Sequence, residues 1–298
     1  VKLKIWFVEV RPQFLLLSVV LILLGTAVAV YEGFFNPIYF LLALIGLLLL
    51  HISVNVLNDY FDYKSGIDLE ARRTPFSGGS GILPAQLLSP TSVYRFGVVC
   101  LLLGLMIGVY FIAVRGLLLL PIVVIGAIAT YFYTTHLARW MLGEVFAGLG
   151  LGALPVLGAY FVQSGTYSPT AAAASVPPFI LVFNLLFLNE FPDVEPDAKH
   201  GRRNLVIALG KPRAAKLYGA LTMAAYCWIL IFTAINLMPP SLLISLITLP
   251  FAIKAVSSAL KHHSSDKVVK ALSANVVTVL LTQALMALGF LLASPLRL

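Results

Sequence analysis

The sequence predicts an all-α protein, a multi-pass membrane bundle of about nine transmembrane helices around a central cavity, and three observations carry that reading. Of its 298 residues, 60% are hydrophobic and 11% charged, with a mean hydropathy of +0.98, where a soluble domain carries about 25% charged residues. Apolar runs of about 20 residues, long enough to cross a bilayer as a helix, recur along the whole chain. No alternating barrel pattern interrupts them, and in lipid a helix satisfies each backbone polar group within its own segment.

The first span, 14–31, follows a short basic stretch (Lys2, Lys4, Arg11) with no small-residue cleavage site, so it reads as a retained helix and not a signal peptide. The second, 38–60, begins after the short outer loop EGFFNP and runs into a polar segment, NVLNDYFDYKSGID. The third and fourth, 91–113 and 117–135, are separated only by a turn near Arg115. The fifth, 143–162, holds GEVFAGLGLGAL, whose small residues allow close helix packing. The sixth, 171–191, contains Pro177-Pro178, which remove backbone donors and should kink it. Pro192 ends it, leaving Asp193 to Asp197 on a loop or a short new helix. Spans 214–236, 241–259 and 270–293 complete the chain.

Residues 1–298 thus form one membrane-embedded domain. Its acidic segments, after spans two and six, suggest halves at about 1–135 and 136–259 with the final helix appended. A duplicated bundle places its ligand between the halves. Eighteen of the 20 Lys and Arg residues fall on one side of these spans, leaving Arg115 and Arg297 on the other. Basic loops stay cytoplasmic, so a cell-membrane protein with its N-terminus and both acidic segments in the cytoplasm is expected. That bias, with attraction to anionic lipid, accounts for the net charge of +8 without nucleic acid. Cys100 and Cys227 lie inside spans with no paired spacing, which points to packing.

Eight of the 12 acidic residues sit in two clusters: Asp59, Asp62, Asp68 and Glu70, then Glu190, Asp193, Glu195 and Asp197. On a helix His51, Asn55, Asn58 and Asp62 fall within about 60° of one another, and Asp59 lies further round. Asp68 rejoins them if the chain turns back at Gly66. Carboxylates held this close repel, and a hard divalent cation offsets that cost. Mg²⁺ takes oxygen ligands and commonly joins one or two carboxylates to a phosphate-bearing substrate. The bland alternative is a pair of solvated helix ends matched by Arg72, Arg73, Arg202 or Arg203. Two matched clusters ending spans on one membrane face argue against it. SGGSG at 77–81 lacks the nucleotide-loop pattern and reads as a mobile cap or a linker. His51 reads as a hydrogen-bond partner within the bundle, and His262-His263 as solvated.

NDYFDYKSGID resembles the first aspartate-rich motif of the UbiA superfamily of intramembrane prenyltransferases, and NEFPDVEPDAKHGRRNLVIALG the second. YFYTTHLARWMLGEVFAG is similar to the menaquinone-biosynthesis branch, as are RTPFSGGSG and RPQF. Glu190 and Pro192 stand where that branch has asparagine and arginine, and Arg202 replaces a common lysine. The resemblance implies Mg²⁺-dependent transfer of a prenyl group from an isoprenyl diphosphate to an aromatic, quinone-precursor acceptor within the bilayer, with no obligatory protein partner. It assigns Asp59, Asp62, Asp68, Asp193 and Asp197 to the metal, with Asp62, Asp193 and Tyr133 at the chemistry. Asn55, Asn58, Arg11, Arg72, Lys199 and Arg202 would hold the diphosphate, with Glu144 near the acceptor. The alternatives are a glycerol-phosphate lipid acceptor or a secondary transporter. The transporter would place its charges near the midplane, whereas these lie at span ends.

Overall fold

The computed structural model describes residues 2–70, 78–261 and 265–295, which are helices and turns with no strand among them. Among them, eight helices are long and apolar enough to cross a membrane: Pro12–Tyr31, Pro37–Ser65, Pro90–Arg115, Gly143–Ser164, Pro169–Asn189, Lys211–Ala234, Pro240–Lys261 and Lys270–Ala293. The expected fourth span is present as a shorter apolar helix, Leu117–Phe132. At 1.5 Å per residue it covers about 24 Å, short of a hydrocarbon core of about 30 Å. The start of the chain forms its own helix, Lys2–Glu9, ahead of the first span.

Local chemistry sets several of the ends. The second span starts at Pro37 because the Asn36 side chain accepts from the N–H groups of Ile38 and Tyr39. It stops at Gly66, whose φ of 86° is the left-handed conformation that terminates helices. Gly66 also reverses the chain, so that one turn of helix, Ile67–Glu70, brings Asp68 back toward the bundle. The sixth span stops at Asn189, just before Pro192, and the short helix Val194–Lys199 carries the second acidic cluster.

The sixth span runs helically through Pro177 and Pro178. Pro177 has no N–H to give the Ala173 carbonyl, and the Trp228 indole N–H of the seventh span fills that vacancy at 2.9 Å. Opposite these prolines the fifth span loosens into a wider turn at Leu149–Ala153, with Leu151 out of helical geometry. Glycines make that contact possible. A Cβ at Gly152 would lie 2.7 Å from the Pro178 oxygen, and one at Gly148 would lie 2.7 Å from the Phe179 oxygen. Gly152→Val is therefore expected to cost about 1–3 kcal/mol by overpacking, read as a lower midpoint of thermal unfolding in detergent.

The largest buried cluster joins the first, fifth, sixth and ninth spans through residues such as Leu24, Val156, Ala174, Val279 and Phe290. The ninth span packs along the first. The Tyr31 and Phe290 rings lie 5.6 Å apart, and Ser294 Oγ donates to the Val30 carbonyl at 3.1 Å. The helices thereby close into a ring. Outward-facing Leu41, Met106, Ile231 and Ile253 are exposed, as a lipid-facing surface requires.

Candidate active site

Inside this ring is a cavity of about 290 Å³. Its deeper wall is apolar, with Leu17, Leu47, Val182, Val279 and Leu280 from the first, second, sixth and ninth spans. Its mouth lies at the end of the bundle where spans two and six finish, and it is lined by Asn55, Asn58, Asp62, Asp68, Asp193, Asp197 and Arg202. Both acidic segments therefore face one space, hydrocarbon-like at one end and charged at the other.

Arg202 organises the charged end. Its guanidinium bonds Asp62 on the first motif and reaches Asp197 Oδ1 on the second at 3.3 Å. Asn58 Nδ2 donates to Asp62 Oδ2 at 3.1 Å and to Thr134 Oγ1 at 2.9 Å. Asn204 Nδ2 donates to Asp197 Oδ2 at 3.3 Å, while its own Oδ1 caps the turn Leu205–Leu209. Burial opposes the charge on Arg202, but the two carboxylates outweigh it and hold the guanidinium protonated more firmly than in water. Burial raises Asp197, and Arg202 pulls it back part of the way. Burial, then Asp62 and Asp59, push Asp68 up to about 8, with Arg202 and Arg11 opposing them.

The glycine-rich segment reaches the cavity through Gly78 and Gly79. Ser77 lies outside the described residues, as do Arg72 and the pair His262-His263. Gly79 has a φ of 69°, and a Cβ there would lie 2.5 Å from Asp68 Oδ2, so no larger residue fits. Ser80 ties this segment down: its N–H donates to Asp59 Oδ2 at 2.8 Å and its hydroxyl to Glu9 Oε2 at 2.7 Å. Burial, then Asp59, raises Glu9 to about 7.

Of the candidates from sequence, Arg11, Asn55, Asn58, Asp62, Asp68, Tyr133, Asp193, Asp197 and Arg202 line the cavity. Asp59, Glu144 and Lys199 do not. Asp59 holds Ser80 and sits 3.8 Å from Arg11. Glu144 is fully buried, and its Oε1 accepts the Leu205 N–H at 2.7 Å. Lys199 pairs with Glu70 at 2.7 Å on the surface, which lowers the Glu70 pKa. Arg11 holds a left-handed backbone, φ 54°, and stacks 4.5 Å over the Phe14 ring. Strain of this kind in a residue without a glycine's freedom commonly marks a functional position. His51 is buried and shares a 2.8 Å hydrogen bond with Ser18, as expected of a partner within the bundle.

Sequence reasoning missed Glu9, Ser80, Thr134 and Asn204. Only Asn204 carried a local signal, as a helix-capping asparagine ahead of an apolar run. Glu190 also lines the cavity. Burial, then the neighbouring Glu144 carboxyl, keeps it protonated well above the usual carboxylate range.

Among the described residues no three acidic, His or Cys side chains converge as a preassembled metal cage. The donor set nevertheless suits magnesium, which dehydrates reluctantly and is usually completed by water and substrate phosphate. Asp68 repelled by its acidic neighbours, and Asp62 and Asp197 already sharing one cation, mark an excess of negative charge. Asp62, Asp68, Asp193 and Asp197 are the side chains that could hold the ion.

The profile of the UbiA prenyltransferase family matches residues 18–279. The 1,4-dihydroxy-2-naphthoate octaprenyltransferase of Bacillus subtilis is 27% identical over 95% of this chain and 91% of its own. The enzyme of that name from Escherichia coli is 27% identical over 97% of this chain and 95% of its own. A solved UbiA homologue from Archaeoglobus fulgidus, bound to GPP and Mg²⁺, superposes with a TM-score of 0.66 at 15% identity, covering 95% of this chain and 99% of that one.

Proposed function

Because the chain belongs to the UbiA prenyltransferase family, we propose that this prenyltransferase moves an isoprenyl group from its diphosphate to a naphthoate-type aromatic acceptor within the membrane. One observation carries the reading: both acidic segments, with Arg202 between them, frame the mouth of a cavity whose depths are apolar. An isoprenyl diphosphate has the same polarity profile. Its tail gains about 0.8 kcal/mol per CH₂ buried, which favours the apolar end, while its diphosphate meets Arg202, Arg11, Asn55 and Asn58.

As the allylic carbon–oxygen bond breaks, the electron pair leaves with the diphosphate, and Arg202 and Arg11 face the charge that gathers there. Magnesium held by the aspartates would neutralise more of it. The carbon left behind is cation-like, and the Tyr133 ring beside the cavity offers it a π face. The acceptor ring forms the new carbon–carbon bond and gives its ring proton to a base, for which the departed diphosphate is the one that the reaction itself supplies. Residues 78–79 over Asp68 keep water from that carbon, which would otherwise yield the alcohol.

The one face of the bundle that carries 18 of the 20 Lys and Arg residues favours a cytoplasmic mouth, where water-soluble diphosphate can leave. The test is purified protein in neutral detergent with labelled geranylgeranyl diphosphate and either 1,4-dihydroxy-2-naphthoate, 4-hydroxybenzoate or a glycerol phosphate lipid. Prenylated naphthoate is expected, with activity lost on chelation by EDTA and restored by Mg²⁺. Prenylation of the glycerol phosphate alone, or turnover that resists EDTA, would overturn the reading.

A further inference from the structure

A second hollow, about 270 Å³, lies behind the charged end of the cavity, lined by Lys64, Thr134, Thr135 and Arg139. It shares Asp62, Ile67 and Arg202 with the main cavity, so one ion pair forms the partition between the two. The far side of that partition is basic. Lys64 and Arg139 are exposed, and no ion pair engages either among the described residues. Thr134 accepts from Asn58 on the cavity side, so its own hydroxyl proton is free to be donated into the hollow. Among the described residues Asp62 is the only carboxylate in its lining, and it already binds Arg202.

We propose that this hollow is a binding site for inorganic diphosphate, the leaving group, after it has crossed from the reaction cavity. The proposal rests on the prenyl-transfer reading given above. Two cations with no ion pair among the described residues, one shared guanidinium and a hydroxyl donor suit a small polyanion. Phe61 and Ile67 give the hollow only a short apolar edge, whereas four spans supply the apolar wall of the main cavity. The partition gives the order of events a physical basis. Arg202 touches the diphosphate from one side while it is substrate and from the other once it is product, so release need not reopen the glycine-rich cap.

The experiment compares the full chain with Lys64→Ala/Arg139→Ala and with Arg139→Glu alone, all in neutral detergent. Both side chains are solvent-facing, and thermal unfolding checks that each variant is folded. Inorganic diphosphate is the probe, by product inhibition and by calorimetry without turnover. The parent should show mixed inhibition against the isoprenyl diphosphate and two binding events. In the double variant the weaker event should lose about fivefold in affinity, as for two exposed charge contacts, and inhibition should shift toward competitive as the non-competitive constant rises by the same factor. The uninhibited rate and the substrate KM should stay within about twofold. An unchanged inhibition pattern would overturn the proposal, as would a KM that rises in step with it. A difference that appears only in vesicles containing phosphatidylglycerol would assign the cations to lipid headgroups and equally overturn it. That loss of affinity at the weaker binding event in a protein with no turnover would sustain the site and sink the prenyl-transfer reading alone.

Discussion

Asp62→Asn should slow prenyl transfer by at least about a thousandfold while the protein stays folded. Asp62 is the point at which the charged end is joined. It accepts from Asn58, bonds Arg202 and lines both hollows. Asparagine keeps its shape and removes its charge, so Arg202 retains Asp197 and the helix ends stay paired. What goes is a carboxylate placed to bind a divalent ion and to orient the cation facing the leaving group. Removing one such electrostatic contact typically costs about 10²–10³ in rate, and losing metal affinity adds to that. Single-turnover rates at saturating Mg²⁺, with unfolding midpoints alongside, decide it. A variant within tenfold of the parent would remove Asp62 from the chemistry.

Arg202→Met should be worse, failing in stability as well as rate. It leaves Asp62 and Asp197, 5% and 3% exposed, facing each other without a cation. Breaking a buried ion pair by removing one partner costs about 3–5 kcal/mol. The pH dependence has a definite sign. Without Arg202 the Asp197 carboxyl, raised by burial and no longer pulled back, binds its proton more tightly in the folded state than in the unfolded chain, where an aspartate pKa is about 3.9. The stability deficit is therefore full near neutral pH and shrinks as the pH falls toward that value. Arg202→Lys should rescue only in part, since one ammonium cannot bridge two carboxylates as a planar guanidinium does. Unfolding midpoints from pH 5 to 8 test this. A deficit that grows on acidification would mean that Arg202 is not paired in this way.

Most of the architecture was legible because a membrane reduces folding to a one-dimensional signal. The second span was expected at 38–60 and runs Pro37–Ser65; the sixth was expected at 171–191 and runs Pro169–Asn189. In both cases hydropathy sets the middle, while Asn36, Gly66 and Ser168 set the ends through capping bonds that hydropathy does not see. Convergence of the two acidic segments was legible because both end spans on one membrane face and their carboxylates call for a shared cation. The partnership of Glu9, Ser80 and Asp59 was not: it joins three segments distant in sequence through single hydrogen bonds. Asp59 was assigned to the metal beside Asp62, but three residues along a helix leave the two side chains about 60° apart, and Asp59 meets the Ser80 loop instead of the cavity.

The contact between the first helix and the last has a bearing on biosynthesis. Val276, Val279 and Leu280 of the last helix supply one wall of the reaction cavity, and they are the final part of it to leave the ribosome. Until then Leu21, Leu24 and Val28 have no partner from that helix, and earlier helices must wait in lipid as a loose assembly. A nascent chain stalled after the eighth helix would therefore be inserted yet open along one seam, and quality-control proteases would find their cleavage sites on the strip that the missing helix normally covers.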